Sequence, residues 1–277
     1  MEISESSNKK IVLITGSTDG IGKESAIQLV KQGYHVIIHG RNNKKALGTL
    51  KQILHEVNDS ELSYVVGDLG SFSEIKALVK DIYSKYSKLN MLINNAGILN
   101  NQRKLNKDGL EETIVVNYIA PFYLTNLLIG LLKEEKNSRI INIVSEVHSN
   151  HLDFENLQFE KEYTGVKAYA LSKTCLIMFT YSLAEKLRAY DISVNCLHPG
   201  IINTKLLQVT SGTYGAPVSI GAESIIYAAT SKELNSETGL YLKNNHREKS
   251  KEITYDKDLQ GKLWAKTEEI LGVKFEI

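Results

Sequence analysis

Short apolar runs rich in Ile and Val recur along the chain: Ile11–Ile14, Val36–Ile38, Tyr64–Val66, Met91–Ile93, Ile140–Val144 and Ile192–Cys196. Their length and β-branched content predict strands buried on both faces. Between most of them the apolar positions fall three and four apart, the spacing of one helix face. Ala26, Ile27 and Val30 mark one such face, Leu47, Leu50, Ile53 and Leu54 a second, and Ile75, Leu78, Val79 and Ile82 a third. Strands alternating with helices require parallel pairing through crossovers, and such crossovers are right-handed. The predicted fold is therefore α/β, a single doubly wound, Rossmann-type, mostly parallel sheet with helices on both faces. The alternation loosens late. Residues 201–218 have no clear period, carry two Gly and a Pro, and are expected to form a mobile substrate loop. A helix about Ile220–Thr230, a short strand Gly239–Leu242 and a helix near Asp258–Leu271 follow.

No repeat or low-complexity linker divides residues 1–277, so one domain is expected, preceded by a polar tail at 1–9. Hydrophobic residues at 42% and charged residues at 23% suit an ordinary folded domain rather than a disordered chain. The 33 Lys and Arg nearly cancel 32 Asp and Glu, leaving no global field to attract nucleic acid. Cys175 and Cys196 are too few for a disulfide framework. His148 and His151 have a metal-like spacing without a third ligand, so no metal is expected and a solvent-facing loop is. The longest greasy stretches, Tyr123–Leu132 and Leu176–Ala184, fall short of the ~20 residues of a membrane span. Together these point to a cytoplasmic protein with no membrane span.

Candidate chemistry starts directly after the first strand. Gly16, Ser17, Thr18, Gly20, Ile21 and Gly22 lie in Thr15-Gly-Ser-Thr-Asp-Gly-Ile-Gly22, which then opens a helix. Glycines at a strand-to-helix turn let the backbone approach a pyrophosphate, and the helix N-terminus offers free N–H groups. At the end of the second strand, NAD-preferring folds place an acid for the ribose 2′-OH. This chain reads His39-Gly40-Arg41-Asn42 followed by Lys44 and Lys45. A guanidinium at Arg41 offers a planar fork for a 2′-phosphate, favouring NADP(H) over NAD(H).

Hydride transfer needs a proton donor or acceptor at the substrate oxygen. A Tyr and a Lys four apart on a helix share one face, and the ammonium is expected to draw the phenol pKa below its usual ~10. Two such pairs occur, Tyr163/Lys167 and Tyr169/Lys173. Gly165 weakens a helix within the first pair, whereas helical spacing continues past the second to Leu176, Ile177 and Phe179. The second pair is therefore assigned to the site and the first to the surface.

These motifs resemble the short-chain dehydrogenase/reductase family. The glycine turn has its T-G-x-x-x-G-x-G form, Asn94-Asn95-Ala96-Gly97 is similar to its NNAG, and Tyr169-Ala-Leu-Ser-Lys173 to its YxxSK. The resemblance implies further roles: Asp68 and Leu69 beside the adenine, and Asn95, Ala96 and Gly97 bracing the sheet beside the adenosine. It also implies that Pro199, Gly200, Ile202 and Thr204 hold the nicotinamide. Ser145 would steady the substrate oxygen, and Lys173 would bind ribose hydroxyls and tune Tyr169. Asn117 would hold a relay water through a carbonyl freed by Pro121. His148 after the serine, Phe154-Glu-Asn-Leu157 and His198-Pro-Gly200 look most like the retinol dehydrogenase/WW-domain oxidoreductase-like branch. Two departures are Asn90, where that branch usually has an aspartate, and Ala120, in place of a frequent glycine. The longer segment 146–166, with Leu152, Phe154, Leu157 and Phe159, is expected to be an apolar flap over the substrate.

The resemblance thus implies an NADP(H)-dependent oxidoreductase interconverting a lipophilic aldehyde or ketone and its alcohol, as a homodimer or homotetramer in many relatives. Two other readings stand beside it. One is a non-catalytic dinucleotide-binding sensor or scaffold, opposed by the intact Ser–Tyr–Lys set. The other is a sugar-nucleotide epimerase or dehydratase, opposed by the glycine spacing.

Overall fold

The computed structural model describes residues 9–57, 61–210 and 214–276. Eight strands form one sheet: β1 (Ile11–Ile14), β2 (His35–Gly40), β3 (Leu62–Val66), β4 (Met91–Asn94), β5 (Ser138–Ile143), β6 (Ile192–His198), β7 (Tyr241–Lys243) and β8 (His246–Glu248). Their order is β3-β2-β1-β4-β5-β6-β7-β8, and every pair is parallel except β7–β8. The helices are α1 (Gly20–Lys31), α2 (Asn43–Glu56), α3 (Phe72–Lys85), α4 (Glu112–Ile114), α5 (Ala120–Lys133), α6 (Gly165–Lys186), α7 (Lys205–Thr210), α8 (Val218–Thr230) and α9 (Lys257–Leu271).

Successive residues of the central strands point to opposite faces, and both faces are dry. Leu13, Ile37, Leu92 and Ile140 join one buried layer with α3, α5 and α6, while Val12, Ile14, Ile38, Ile93 and Ile141 join another with α1 and α8. That is why these strands read as unbroken apolar runs. The β8 strand escaped the sequence analysis because all three of its residues are exposed and polar. Its hairpin turns on Asn244 and Asn245, both at positive φ, which suits the right-handed twist of a two-residue loop.

A chain of buried amides and hydroxyls crosses the sheet. Asn94 Nδ2 donates to Thr125 Oγ1 (3.0 Å) and to Asn142 Oδ1 (2.8 Å), and Asn142 Nδ2 donates to Thr180 Oγ1 (2.9 Å). It ties α5 and α6 to neighbouring strands. At the opposite end of β4, Asn90 Oδ1 accepts the Ile11 N–H at 2.8 Å, so the amide at this position joins β4 to β1.

Three segments can be set beside their sequence expectations. The stretch Tyr123–Leu132 belongs to a longer helical stretch, Glu112–Lys133, of 22 residues, whose most apolar window has mean hydropathy 1.6, long and apolar enough to cross a membrane, although 83% of that window is buried inside this fold. The apolar side chains expected of a flap in 146–166 do not cover the cleft: only the ends of the segment, at Glu146, Val147 and Val166, reach it, and Leu152, Leu157 and Phe159 are buried in the layer with α5 and α6. Burying these side chains gains more than exposing them at a cleft mouth would. The 201–218 segment carries the short helix α7 and closes on itself, with Asn203 N–H donating to Ala216 O and Ala216 N–H to Ile201 O, both at 2.8 Å. Residues 211–213 of that loop and 1–8 of the polar tail lie outside the described residues.

Candidate active site

Parallel strands leave a crevice at their carboxyl ends where the order reverses, and here β1 separates β2 and β3 from β4 onward. A cleft of about 1290 Å³ opens there. It exceeds the ~300–1,000 Å³ of ordinary small-ligand pockets, leaving room for an extended ligand and a second molecule beside it.

One wall is the glycine turn. Gly16 sits at φ 64°, and a Cβ on it would lie 2.9 Å from Ala96 Cα. A Cβ on Gly22 would stand 2.4 Å from Asn95 Nδ2 and 2.7 Å from Gly16 O. Both positions therefore require glycine for closeness, leaving a cradle that side chains would fill. Thr15, which the sequence analysis did not single out, holds the turn to β4: its Oγ1 accepts the N–H groups of Asn95 (2.9 Å) and Ala96 (3.0 Å). Asn95 Nδ2 returns a bond to Thr15 O at 2.8 Å. Its place as the first letter of the glycine motif was the available signal. Asp19 caps α1, accepting from the Gly20 N–H at 2.9 Å. Thr18, Gly20 and Ile21 line the cleft, but Ser17 does not. The Ser17 hydroxyl donates to Ile14 O at 2.8 Å and its N–H donates to His39 O, so it braces the turn from behind.

Beyond β2, Arg41 is exposed and lines the cleft with Asn42 and Lys45. This corner also holds a carboxylate, that of Asp19. Asp19 Oδ2 lies 3.5 Å from Lys45 Nζ and 2.5 Å from Lys205 Nζ. The Lys205 hydrogen bond is the largest influence holding the Asp19 carboxyl below the usual carboxylate range. This acid comes from the glycine turn, not from β2, and two ammonium groups attend it. Asp68 and Leu69 line the same end, where Asp68 Oδ1 accepts from Gly70 N–H at 2.9 Å.

The opposite wall carries the reactive side chains. Thr164 caps α6, so the helix starts after Tyr163 and the two Tyr/Lys pairs have different backbones. Tyr163 is half-buried rather than on the surface; its hydroxyl donates to Asn100 O at 2.8 Å, and exposed Lys167 pairs with Glu162 at 3.8 Å. Tyr169 and Lys173 lie one turn apart and both line the cleft with Ser145. Lys173 Nζ donates to Ile143 O at 2.8 Å and lies 5.4 Å from the Tyr169 ring centroid. Burial pushes the Tyr169 phenol up to about 12, opposed by its hydrogen bond with Ser145, and pushes Lys173 down to about 8. The expected lowering of the phenol pKa is thus reversed: desolvation of the phenolate outweighs the hydrogen bond with Ser145.

Asn117 is buried and its side chain is committed. Oδ1 accepts from Ile98 N–H (2.8 Å), while Nδ2 donates to Ile98 O (2.9 Å) and Ser172 Oγ (3.0 Å). It lies in a π-helical turn, Val115–Ile119, between α4 and α5. The Ala120 N–H reaches back to Val115 O, and Pro121 has no N–H for the Asn117 carbonyl four residues earlier.

His148 is buried, contrary to the solvent-facing expectation. Its Nδ1 donates to Ser145 O (3.0 Å) and its Nε2 accepts from Lys251 N–H (3.0 Å), the second bond invisible to local spacing because Lys251 is 103 residues away. Among the described residues no His, Cys, Asp or Glu group could hold a metal. Gly97, Pro199, Gly200, Ile202 and Thr204 complete the cleft, and Thr204 faces Gly20, whose Cβ would lie 3.7 Å from its methyl.

Residues 10–214 match the family model for short chain dehydrogenase. The chain is 35% identical over 282 residues to human polyprenol dehydrogenase, covering 95% of this chain and 86% of that protein. It is 30% identical to human retinol dehydrogenase 13, over 96% and 85% of the two chains. A crystal structure of a Mycobacterium paratuberculosis protein superposes with TM-score 0.81 at 24% identity, covering 97% of this chain and 95% of that one. With its glycine cradle facing the Ser145, Tyr169 and Lys173 side chains across one cleft, this chain belongs to the short-chain dehydrogenase family, in its retinol dehydrogenase-like branch.

Proposed function

We propose that the protein is an NADP(H)-preferring oxidoreductase that interconverts a lipophilic aldehyde or ketone and its alcohol. The observation that carries this reading is the meeting of Ser145, Tyr169 and Lys173 on the wall opposite the glycine cradle. Gly16–Gly22 and the α1 N-terminus would hold the pyrophosphate, Asp68 and Leu69 the adenine side, and Pro199, Gly200 and Thr204 the nicotinamide side. When bound, the dinucleotide supplies or accepts the hydride.

Tyr169 holds its proton at neutral pH and is placed to give it to the oxygen of a carbonyl as that oxygen gains negative charge. Ser145 steadies the same oxygen. Lys173 orients ribose hydroxyls and, when charged, favours the phenolate in the reverse direction. The Asn117 carbonyl offers a water a place in a relay behind Lys173. Arg41 supports NADP(H), being a planar cation at the ribose end. Val147, Val166 and Ile201 are exposed hydrophobics on the cleft, and relatives named for polyprenol and retinol support an alcohol on a long apolar chain. Cys175 and Cys196 are buried free thiols, compatible with a reducing cytoplasm.

A panel of apolar aldehydes, ketones and primary alcohols, followed at 340 nm with NADPH or NADP+ and with NADH or NAD+, tests the proposal. Turnover of apolar members with the phosphorylated cofactor is expected. Dinucleotide binding without turnover of any member would favour the sensor reading instead.

A further inference from the structure

The imidazole of His39 is 1% exposed at the carboxyl end of β2, yet it forms part of the cleft lining. Its backbone N–H donates to Ser17 Oγ at 2.9 Å, and its carbonyl accepts the Ser17 N–H at 3.1 Å. The ring reaches further. Gly16 N–H donates to Nδ1 at 3.1 Å, and Nε2 lies 2.9 Å from Gly67 O. A backbone N–H can only donate and a carbonyl can only accept, so these partners fix one tautomer: bare Nδ1 and protonated Nε2. The other neutral tautomer loses both bonds, and the imidazolium sets an Nδ1 proton against the Gly16 N–H. Asp68 and Arg41 are the charged groups that act on the ring, with opposite effects on its protonation.

Both glycines joined by this ring have little freedom on their other sides. A Cβ on Gly16 would collide with Ala96, and one on Gly67 would come within 3.2 Å of Glu74 O and the Leu78 side chain. Gly16 opens the glycine turn, and Gly67 directly precedes Asp68 and Leu69. The ring thus spans the two segments that flank the adenosine end of the cleft. We propose that His39 is a positioning residue for the dinucleotide: its Nε2–H tautomer clamps the glycine turn to the Gly67–Leu69 segment and sets the width of the adenosine pocket. This rests on the dinucleotide-binding reading of the cleft. It also explains why Gly16 contributes shape and not a free N–H, since its donor is already used by the imidazole.

The test uses the full-length protein with His39→Ala, His39→Asn and His39→Gln, titrated with NADPH, with adenosine 2′,5′-bisphosphate and with nicotinamide mononucleotide. Asn can place Oδ1 where Nδ1 accepts from Gly16, and Gln can place an amide N–H where Nε2 donates to Gly67. His39→Ala is expected to weaken NADPH and the bisphosphate by about 10-fold, the scale of leaving a buried donor and acceptor unpaired, while the mononucleotide is unchanged. Asn and Gln should each recover part of that loss. With a turnover substrate, the KM for NADPH should rise while kcat at saturating NADPH stays within about twofold. If His39→Ala does not fold, the Asn and Gln variants carry the measurement alone, each expected between wild type and a 10-fold loss. Wild-type affinity for NADPH in the substituted proteins, or equal weakening of the mononucleotide and the bisphosphate, overturns the proposal while leaving the oxidoreductase reading intact. Wild-type protein that binds neither NADPH nor NADH overturns both.

Discussion

On the β1–β3 side of the cleft, the geometry is set by backbone: glycines at Gly16 and Gly22 pressed against Ala96 and Asn95, with Thr15 and His39 bonding main-chain groups behind them. On the β4–β6 side, the working groups are side chains, and desolvation has moved the pKa values of Tyr169 and Lys173 in opposite directions. On the proposed function, the first region holds the dinucleotide and the second transfers a proton. Substitutions in the two should therefore separate affinity from turnover.

The largest separation is expected on the reactive side. Tyr169→Phe removes the proton donor and should lower kcat by about 10²–10⁴, the range of general acid catalysis, with little change in dinucleotide affinity. Tyr163→Phe should leave kcat near wild type, because its hydroxyl is used on Asn100 O. Steady-state kinetics beside fluorescence titration of NADPH reads both; the opposite pattern would move the site to the first Tyr/Lys pair.

Acid should strain the holding side. Burial pushes His39 down from 6.5 to about 4. The unfolded chain then binds more protons between those values, so the stability from neutral His39 is whole above pH 6.5 and lost as pH falls toward 4, about 3 kcal/mol in all. His148 and His198 are shifted in the same direction by burial, so the wild-type slope is shared. Urea unfolding at pH 7 and pH 4.5 should show a shallower acid loss in His39→Asn than in wild type.

Gly22→Ala comes next. Its methyl would meet a backbone oxygen at 2.7 Å, and the expected cost is ~1–3 kcal/mol of stability together with weakened dinucleotide binding. Thermal unfolding with and without NADPH distinguishes the two contributions. Smallest is Arg41→Ala, which should reduce the preference for NADPH over NADH by about 10-fold, near the lower end for a hydrogen bond to a charged group, without altering kcat. An unchanged preference would assign the 2′-phosphate, if selected at all, to Lys45 and its neighbours.

The backbone-governed region was the more legible in the sequence. Glycine spacing between a strand and a helix is a local signal, and the buried strands announced themselves as apolar runs. The Tyr169 pair was separable from Tyr163 because Gly165 broke helical continuity, and the structure starts α6 at that glycine. What local pattern did not reveal were bonds closed across the chain: His148 with Lys251, Asp19 with Lys205, and His39 between Gly16 and Gly67. The 146–166 segment was misplaced for a related reason. Its apolar residues mark burial, but only the tertiary arrangement shows that they enter the α5–α6 layer instead of covering the cleft.

The Thr125–Asn94–Asn142–Thr180 relay gives thermostability and catalytic alignment different sensitivities. Hydrocarbon replacements at all four sites can leave the melting temperature nearly unchanged, because matched polar partners removed together cost little net free energy. Directional restraint would vanish with them, freeing the two scaffolding helices to slide by fractions of an ångström. A redesign selected solely for heat resistance would then keep its melting temperature while loosening the alignment of the cleft walls.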